Sequence, residues 1–303
     1  MTNENFSQRD DKQFFLYMSF FYYNCNCIYW YKHMKCKIIT LVENCVYGRK
    51  LQAEHGLSLY VEAGEHVVLF DTGASDLFVR NARFLHCDLQ KVDYLVLSHG
   101  HSDHTGGLET FLDINKRAKV VCKREALDPK FKGERENGIR HAGCLDMSRF
   151  IFIDRTTEIL PGVWLFPKLT ISDEKDTHFE QFLVKRGGEL IPDRFEDELA
   201  LVLKGDEGLA VLSACSHRGI TNILRSISSY FDNSRLKMLT GGFHIHNAPT
   251  EKDNAIIEGL KHFMPDQIGV CHCSGVDKFA LFYSLFGNKV FYNHTGCVKE
   301  IEL

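Results

Sequence analysis

Apolar and polar positions along this chain repeat with two different periods. Short runs rich in β-branched and aliphatic residues, such as 37–42 and 66–70, have the composition of buried strands. The segment 75–85 instead repeats its apolar residues at helical spacing, and Ser75 or Asp76 is placed to cap that helix. The first part of the chain is therefore predicted to form strands at 37–42, 57–62, 66–70, 92–97 and 119–122 and helices at 75–85 and 106–115.

The same alternation returns in the second half of the chain. It predicts strands at 199–203, 209–212, 236–239, 267–270 and 289–292 and helices at 219–230, 251–263 and 276–286. Strands that alternate with helices indicate an α/β core built in layers. Because the two halves share this order of elements, they fit two similar layers stacked face to face.

The pattern weakens between these halves, from about 123 to 197. Charged and glycine-containing segments dominate there, and only 150–153 and 163–166 have the pattern of short strands. Functional residues are often on loops carried by a rigid scaffold, so we expect this stretch to be an insertion that shapes a substrate pocket. Arg140, His141 and His178 lie in it and are expected to be solvated.

The densest group of polar residues follows the predicted strand 92–97. It consists of His99, His101, Asp103 and His104. Imidazole nitrogen and carboxylate oxygen suit zinc, or alternatively iron or manganese. Alternation places the first two histidines on one side of an extended turn, and the adjacent last two residues can face a second ion. We therefore predict two divalent metal ions, and we consider a polar loop that only happens to carry histidines the weaker interpretation.

The spacing His99-x-His101-x-Asp103-His104 resembles the defining motif of the metallo-β-lactamase superfamily. The resemblance implies a four-layer αββα sandwich over residues 34–303, with a one- or two-metal centre at one edge. It matches the two leading histidines with ligands of the first metal, and Asp103 and His104 with ligands of the second. Asp71, at the end of a predicted strand, would on its own be a turn residue, but the resemblance makes it a side chain that orients metal-bound histidines.

Three later predicted strands are each followed by a histidine or a thiol. The residues are Cys215 and His217, His244, and His272. Ligands in α/β sheets gather where strands end on one side, so three such positions in succession favour ligands over turn residues. The resemblance places Cys215 near a bridging ligand and His272 at the last histidine of the second site. His217 is a plausible third ligand of the first metal, although the usual histidine precedes the bridging residue, so the roles of Cys215 and His217 stay open.

Four further motifs, at 53–59, 215–223, 241–244 and 272–275, resemble one subgroup of that superfamily. This is the subgroup called dihydropterin-(ribofuranosyl)aminobenzene 5'-phosphate synthase-like. Within these motifs Glu54 and His55 are either structural or face the pocket, and the structural role is slightly favoured. Cys271 is expected to point inward as a small apolar residue, and Cys273 is not predicted to be a ligand.

A two-metal site lowers the pKa of a bound water and stabilises anionic oxygens, which favours hydrolysis. We therefore predict a metal-dependent hydrolase in which a metal-bound hydroxide attacks an ester-type bond, such as a phosphoester, of a small-molecule substrate. Asp103 would orient the nucleophile, and His244 would donate to the leaving group or bind a phosphate. The alternatives are a pterin-related synthase or transferase, a non-hydrolytic di-iron redox protein, and a metal-binding sensor. Related redox proteins usually carry a glutamate in the metal loop, where this chain has Ser102 before Asp103.

Charge and cysteine content narrow the expected partners. The chain has 36 basic and 40 acidic residues and a formal charge of -4, which indicates neither nucleic-acid nor membrane-surface binding. Its eleven cysteines lack the regular spacing of a disulfide framework and are typical of reduced thiols in a cytoplasmic protein. The sequence is also compatible with a homo-oligomer.

Residues 1–33 differ in composition from the rest of the chain. The run 14–30 is rich in aromatic residues but interrupted by serine and asparagine, which suits neither a membrane span nor a secretory signal. We expect 1–33 to be a disordered extension or a segment upstream of a true start at Met34, with a weak membrane anchor as the alternative.

Overall fold

The computed structural model describes residues 34–303, and the expectations for 1–33 lie outside the described residues. Eighteen strands and six helices form within this range. The strands are β1 (Lys35–Val42), β2 (Ser58–Ala63), β3 (His66–Phe70), β4 (Tyr94–Val96), β5 (Lys119–Cys122), β6 (Lys130–Lys132), β7 (Arg135–Glu136), β8 (Phe150–Phe152), β9 (Thr157–Leu160), β10 (Val163–Phe166), β11 (Phe182–Arg186), β12 (Glu189–Pro192), β13 (Ala200–Gly205), β14 (Gly208–Ser213), β15 (Leu236–Gly241), β16 (Gln267–Val270), β17 (Val290–Tyr292) and β18 (Val298–Glu302). The helices are α1 (Leu77–Phe84), α2 (Ser102–Thr105), α3 (Leu108–Ile114), α4 (Ile220–Tyr230), α5 (Thr250–Phe263) and α6 (Val276–Phe286).

Most of the strands form two seven-stranded sheets. The first sheet has the order β18-β1-β2-β3-β4-β5-β8, and the second has the order β17-β16-β15-β14-β13-β10-β9. A third, four-stranded sheet has the order β12-β11-β6-β7. It is antiparallel throughout.

The two large sheets pack face to face through apolar side chains. Val68 and Val96 from the first sheet and Leu201 and Leu212 from the second belong to the same fully buried cluster. Burial of such side chains away from water is the main driving force for folding, at about 25 cal/mol per Å² of apolar surface. This cluster is the central layer of the core.

Helices cover the outer face of each large sheet. Phe78 of α1 and Phe111 of α3 pack on the first sheet. Ile223 of α4, Leu260 of α5 and Phe282 of α6 pack on the second. The order is therefore helix, sheet, sheet, helix, and the predicted αββα sandwich is confirmed.

Parallel strands in both sheets end at one edge of the sandwich. In the first sheet β3, β4, β5 and β8 are mutually parallel. In the second sheet β14, β15, β16 and β17 are parallel. The carboxyl ends of such strands are where α/β folds place their binding residues. The predicted ligands follow β4, β14, β15 and β16 directly.

The predicted elements of the two large sheets are all present, and their bounds differ from the prediction by no more than two residues. Asp76 occupies the N-cap position of α1, but its side chain makes no capping hydrogen bond. The Ser75 hydroxyl accepts the backbone N–H of Leu77 instead, at 3.1 Å.

The stretch 123–197 is not one continuous insertion. Its segments β8, β9 and β10 complete the edges of the two large sheets, whereas β6, β7, β11 and β12 form the separate third sheet. The third sheet and the terminal strand β18 were not predicted from the sequence. No helix in the range 34–303 combines the length and the apolar character needed to cross a bilayer.

Helix α1 offers a direct test of the outer layer. Phe78 is completely buried, whereas Phe84 on the same helix is 52% exposed. Phe78→Ala is expected to lower the free energy of unfolding by about 3–5 kcal/mol, because it removes buried apolar surface and leaves a cavity. Phe84→Ala should change it by about 0.5 kcal/mol or less. Urea unfolding measures both, and equal losses for the two variants would contradict this packing.

Candidate metal centre

The loop after β4 brings the first candidate ligands to the sheet edge. His99 lies in a bend after the strand, His101 is extended and precedes the short helix α2, and Asp103 and His104 lie on that helix. Helix α2 packs closely on the neighbouring loop, since a Cβ on Gly106 would lie 2.1 Å from the carbonyl oxygen of Ala74. Glycine is therefore required where the loop leaves the site.

Three histidines form a first cluster. One ring nitrogen each of His99, His101 and His217 lies within 4.8 Å of the other two. The Nε2 atom of each ring is buried and has no hydrogen-bond partner among the described residues. Burial lowers the pKa of all three imidazoles well below the ordinary value, so the rings are neutral near pH 7. Neutral imidazoles with free, converging nitrogen atoms are suitable ligands for a divalent metal ion.

A second cluster lies beside the first. His104 Nε2 is 3.2 Å from His272 Nε2, and the Asp103 carboxylate is 3.4 Å from His272 Nε2 and 3.8 Å from His104 Nε2. Burial alone would raise the pKa of Asp103, but the neighbouring histidines, His104 first, hold it well below its ordinary value. Burial also lowers the pKa of His272 to about 4. The cluster therefore offers an ionised carboxylate and two imidazoles to a second ion.

Cys215 lies between the two clusters. Its Sγ is 3.1 Å from His104 Nε2 and also falls within 4.8 Å of a ring nitrogen of His99 and of His217. Burial raises the pKa of the Cys215 thiol well above its ordinary value, so a nearby cation would be needed to hold it as the thiolate. This position suits a ligand shared by both clusters.

Asp71 fixes the orientation of two of the histidines. Its carboxylate accepts from His104 Nδ1 at 2.7 Å, from the Ser98 backbone at 2.8 Å and from the Ser98 hydroxyl at 2.6 Å. The same Ser98 oxygen is 2.8 Å from His99 Nδ1, and because its hydroxyl donates to Asp71 it accepts a hydrogen bond from the His99 Nδ1–H. Because both Nδ1 atoms act as donors, the Nε2 atoms of His99 and His104 keep their lone pairs for the clusters.

Residues that were not predicted support His272. The Asn44 side-chain oxygen is 2.9 Å from His272 Nδ1, and the buried Glu43 carboxylate accepts the His272 backbone N–H at 2.6 Å. Tyr292 donates to the same carboxylate at 2.9 Å. Glu43 and Asn44 follow β1 directly, so polar residues at the end of the first strand were the signal that could have identified them.

A second unpredicted group supports the other ligands. The Glu198 carboxylate accepts the backbone N–H of His217 at 2.7 Å, and Asp197 accepts that of Gly100 at 2.7 Å. Lys130, itself buried, is 3.1 Å from Asp197 and 2.8 Å from Asp193. These carboxylates fix the backbone of both ligand loops, and their position just before β13 was the available signal.

The remaining predicted residues have different environments. His244 lies beside the first cluster, with its ring centroid 4.3 Å from that of His217, and its Nδ1 is buried without a partner among the described residues. His55 faces the site, where its Nε2 is 3.3 Å from the Asp103 carboxylate. Glu54 is structural, because its carboxylate accepts hydrogen bonds from two backbone N–H groups and one hydroxyl group in the loop before α1. His178 was expected to be solvated but is only 3% exposed.

Both clusters open into a cavity of about 490 Å³. Its inner wall carries His101, Asp103, Cys215 and His272, and its outer wall includes residues of the third sheet. Cys271 belongs to the apolar core, whereas Cys273 lines the cavity. The candidate ligands are thus accessible to a small molecule.

Comparison with known proteins identifies the family. A profile of the metallo-beta-lactamase superfamily matches residues 52–185. The crystal structure of Tm1679, described as a metal-dependent hydrolase of the beta-lactamase superfamily, is 34% identical and has a TM-score of 0.78, with 89% of this chain and 100% of that chain covered. The chain belongs to the metallo-β-lactamase superfamily. Members of this superfamily typically bind divalent metal ions, and the site holds several groups of histidine, cysteine and aspartate side chains close enough together to bind one.

Two proteins of Methanocaldococcus jannaschii are similar in sequence to this chain over most of its length. One is named 7,8-dihydropterin-6-methyl-4-(beta-D-ribofuranosyl)-aminobenzene-5'-phosphate synthase and is 27% identical, covering 86% of this chain and 95% of its own length. The other is an uncharacterized protein that is 28% identical, covering 87% and 100%. The subgroup resemblance seen in the sequence motifs is confirmed.

Replacement of Asp71 by asparagine tests the support of the histidines. Asparagine has the same shape and tolerates the φ of 61° at this position, but it cannot hold His104 through a charged hydrogen bond. Asp71→Asn is therefore expected to lower the affinity for a divalent metal ion about 10–100-fold in chelator competition. Asp76→Asn, an exposed substitution on the following loop, should leave it unchanged. Equal affinities for the two variants would remove Asp71 from the metal site.

Proposed function

We propose that this protein is a metal-dependent hydrolase that cleaves an ester-type bond, such as a phosphoester, in a small-molecule substrate. The observation that carries the proposal is the pair of neighbouring ligand clusters at the floor of one cavity. Neutral, unpartnered imidazoles that converge in this way have little use in a protein that binds no cation. The cavity volume of about 490 Å³ suits a small molecule.

The donor atoms fit two divalent ions. His99, His101 and His217 would hold the first ion, and Asp103, His104 and His272 the second, with Cys215 available to both. Nitrogen, oxygen and thiolate donors together favour zinc, and iron or manganese are the alternatives. Such ions, when bound, lower the pKa of water and stabilise negative charge on a substrate oxygen.

The side chains of the chain itself would position the reactants. Asp103 lies between His55 and His272 and presents an ionised carboxylate that can accept a hydrogen bond from a water molecule and so orient it. His244 stands at the cavity wall and can donate a hydrogen bond to the leaving group or to a phosphate. Phe182 covers His101, with the two ring centroids 5.0 Å apart, and limits access of bulk water to that side of the site.

A second candidate function is synthase chemistry on a pterin-related substrate. It is favoured by the printed name of the 27% identical relative, whose length is almost fully covered. A phosphorylated pterin precursor and an aromatic acceptor, supplied together, separate the two candidates. A coupled product without release of a hydrolysed fragment would favour the synthase, and fragment release without coupling would favour the hydrolase.

His101→Ala is expected to abolish metal uptake and turnover together, because it removes one of the three nitrogen donors of the first cluster. Elemental analysis of protein purified without oxygen measures the metal, and a panel of phosphodiester, lactone and thioester substrates measures the turnover. His141→Ala is the matched control, since His141 is an exposed histidine away from the cavity. A His101→Ala protein that still hydrolyses the substrate accepted by the wild type would refute this mechanism.

A further inference from the structure

The outer wall of the cavity carries two positively charged side chains in one row. Lys132 on β6 and Arg135 on β7 are directly opposite each other in the strand pairing. On its other side Lys132 is opposite Phe182 of β11. Directly opposed residues point to the same face of a sheet, and all three side chains line the cavity.

Like charges at opposed positions destabilise a strand pair. Within residues 34–303 no carboxylate forms an ion pair with Lys132 or Arg135. Neighbouring cations differ, since Lys130 pairs with two aspartates and Arg186 pairs with Asp128 at 2.8 Å and also with a glutamate. Both side chains are exposed, so water reduces their repulsion, and an anion bound between them would relieve the rest.

The charge balance of the cavity favours an anion at this place. Asp103 is the only carboxylate among the described residues that line it, and Asp103 belongs to the second ligand cluster. Two glutamates adjoin Arg135. Glu134 is exposed in the turn before β7, does not line the cavity and forms no ion pair among the described residues. Glu136 is opposed to Phe131, so its side chain points to the other face of the sheet.

The Phe182 ring lies between Lys132 and His101 of the first ligand cluster. The Lys132 Nζ is 5.3 Å from the centre of the Phe182 ring, and that ring centre is 5.0 Å from the centre of the His101 ring. A group bound by Lys132 and Arg135 would therefore not be the group that reacts at the clusters. It would be a second, remote part of the same substrate.

We propose that Lys132 and Arg135 bind a phosphate monoester group of the substrate, remote from the bond that is broken. Arginine can bind two phosphate oxygens through its planar guanidinium, and lysine adds a compact charge. This inference rests on the proposed function only in taking the cavity as the substrate site. The binding of the phosphate group itself requires no turnover.

Calorimetric titration of inorganic phosphate into protein stripped of metal with a chelator tests the proposal, because a bound metal ion would itself take up phosphate and His101→Ala is expected to hold none. Four proteins are compared: the wild type, Lys132→Ala/Arg135→Ala, the control Lys185→Ala/Arg155→Ala, and His101→Ala. Lys185 and Arg155 are exposed and do not line the cavity, so the control removes the same charges elsewhere. Acetate is titrated in parallel as a singly charged anion.

Loss of two charged donors is expected to weaken phosphate binding about tenfold or more in Lys132→Ala/Arg135→Ala. The control and His101→Ala should bind within about twofold of the wild type. Absence of phosphate binding by the wild type, retained binding by the double variant, or acetate binding as tight as phosphate would each overturn the proposal. A His101→Ala protein that loses turnover but still binds phosphate would support the phosphate site independently of the proposed hydrolase function.

Thermal unfolding tests whether a loss of phosphate binding comes from a destabilised hairpin. Removal of an opposed like-charge pair is expected to leave Tm unchanged or to raise it. Lys132→Gln/Arg135→Gln, which keeps side-chain length, is the second variant, and it should lose phosphate binding to the same extent. A large fall in Tm in both variants would show that the two residues stabilise the hairpin and would overturn the inference.

Discussion

The structure depends on burying several imidazole rings whose free nitrogens have no partner in the protein. The Nε2 atoms of His99, His101 and His217 are buried without a hydrogen-bond partner among the described residues. Each buried, unsatisfied polar group lowers the stability of the folded state by about 1–3 kcal/mol. A folded domain has a net stability of only about 5–15 kcal/mol, so three such groups together would remove a large part of it. Bound cations would offset this cost, so the buried nitrogens are better explained as metal ligands than as part of the core.

Backbone strain is concentrated at the same edge. Asp71, Ser216, His244 and His272 follow strands of the two sheets and have φ values of 61°, 57°, 51° and 53°, in the left-handed region that non-glycine residues rarely adopt. Such conformations cost about 1–3 kcal/mol each and persist only where surrounding contacts enforce them. Ser98 contacts Asp71, Asn44 contacts His272, and the Ser216 hydroxyl donates to the Gly242 carbonyl at 2.7 Å. The hydrogen-bonded surroundings of the ligands are therefore as necessary as the ligands themselves.

The elements of the large sheets were predictable because their periodicity is local, and the ligand loop was predictable because His99 to His104 are adjacent in the chain. Cys215, His217 and His272 could be placed from one rule, that parallel strands end at a common edge. The supports could not be placed in this way. Asn44 reaches His272 across 228 positions of the chain, and the two-residue strand β7 forms only by pairing with β6. Contacts of this kind are set by tertiary packing, which no local pattern contains.

Anomalous diffraction from crystals of the metal-loaded protein, recorded at the absorption edge of the metal, shows directly whether ions bind at the two clusters. Two peaks per chain are expected, one surrounded by His99, His101 and His217 and the other by Asp103, His104 and His272. Protein that takes up no metal, or peaks that lie away from these side chains, would contradict this expectation.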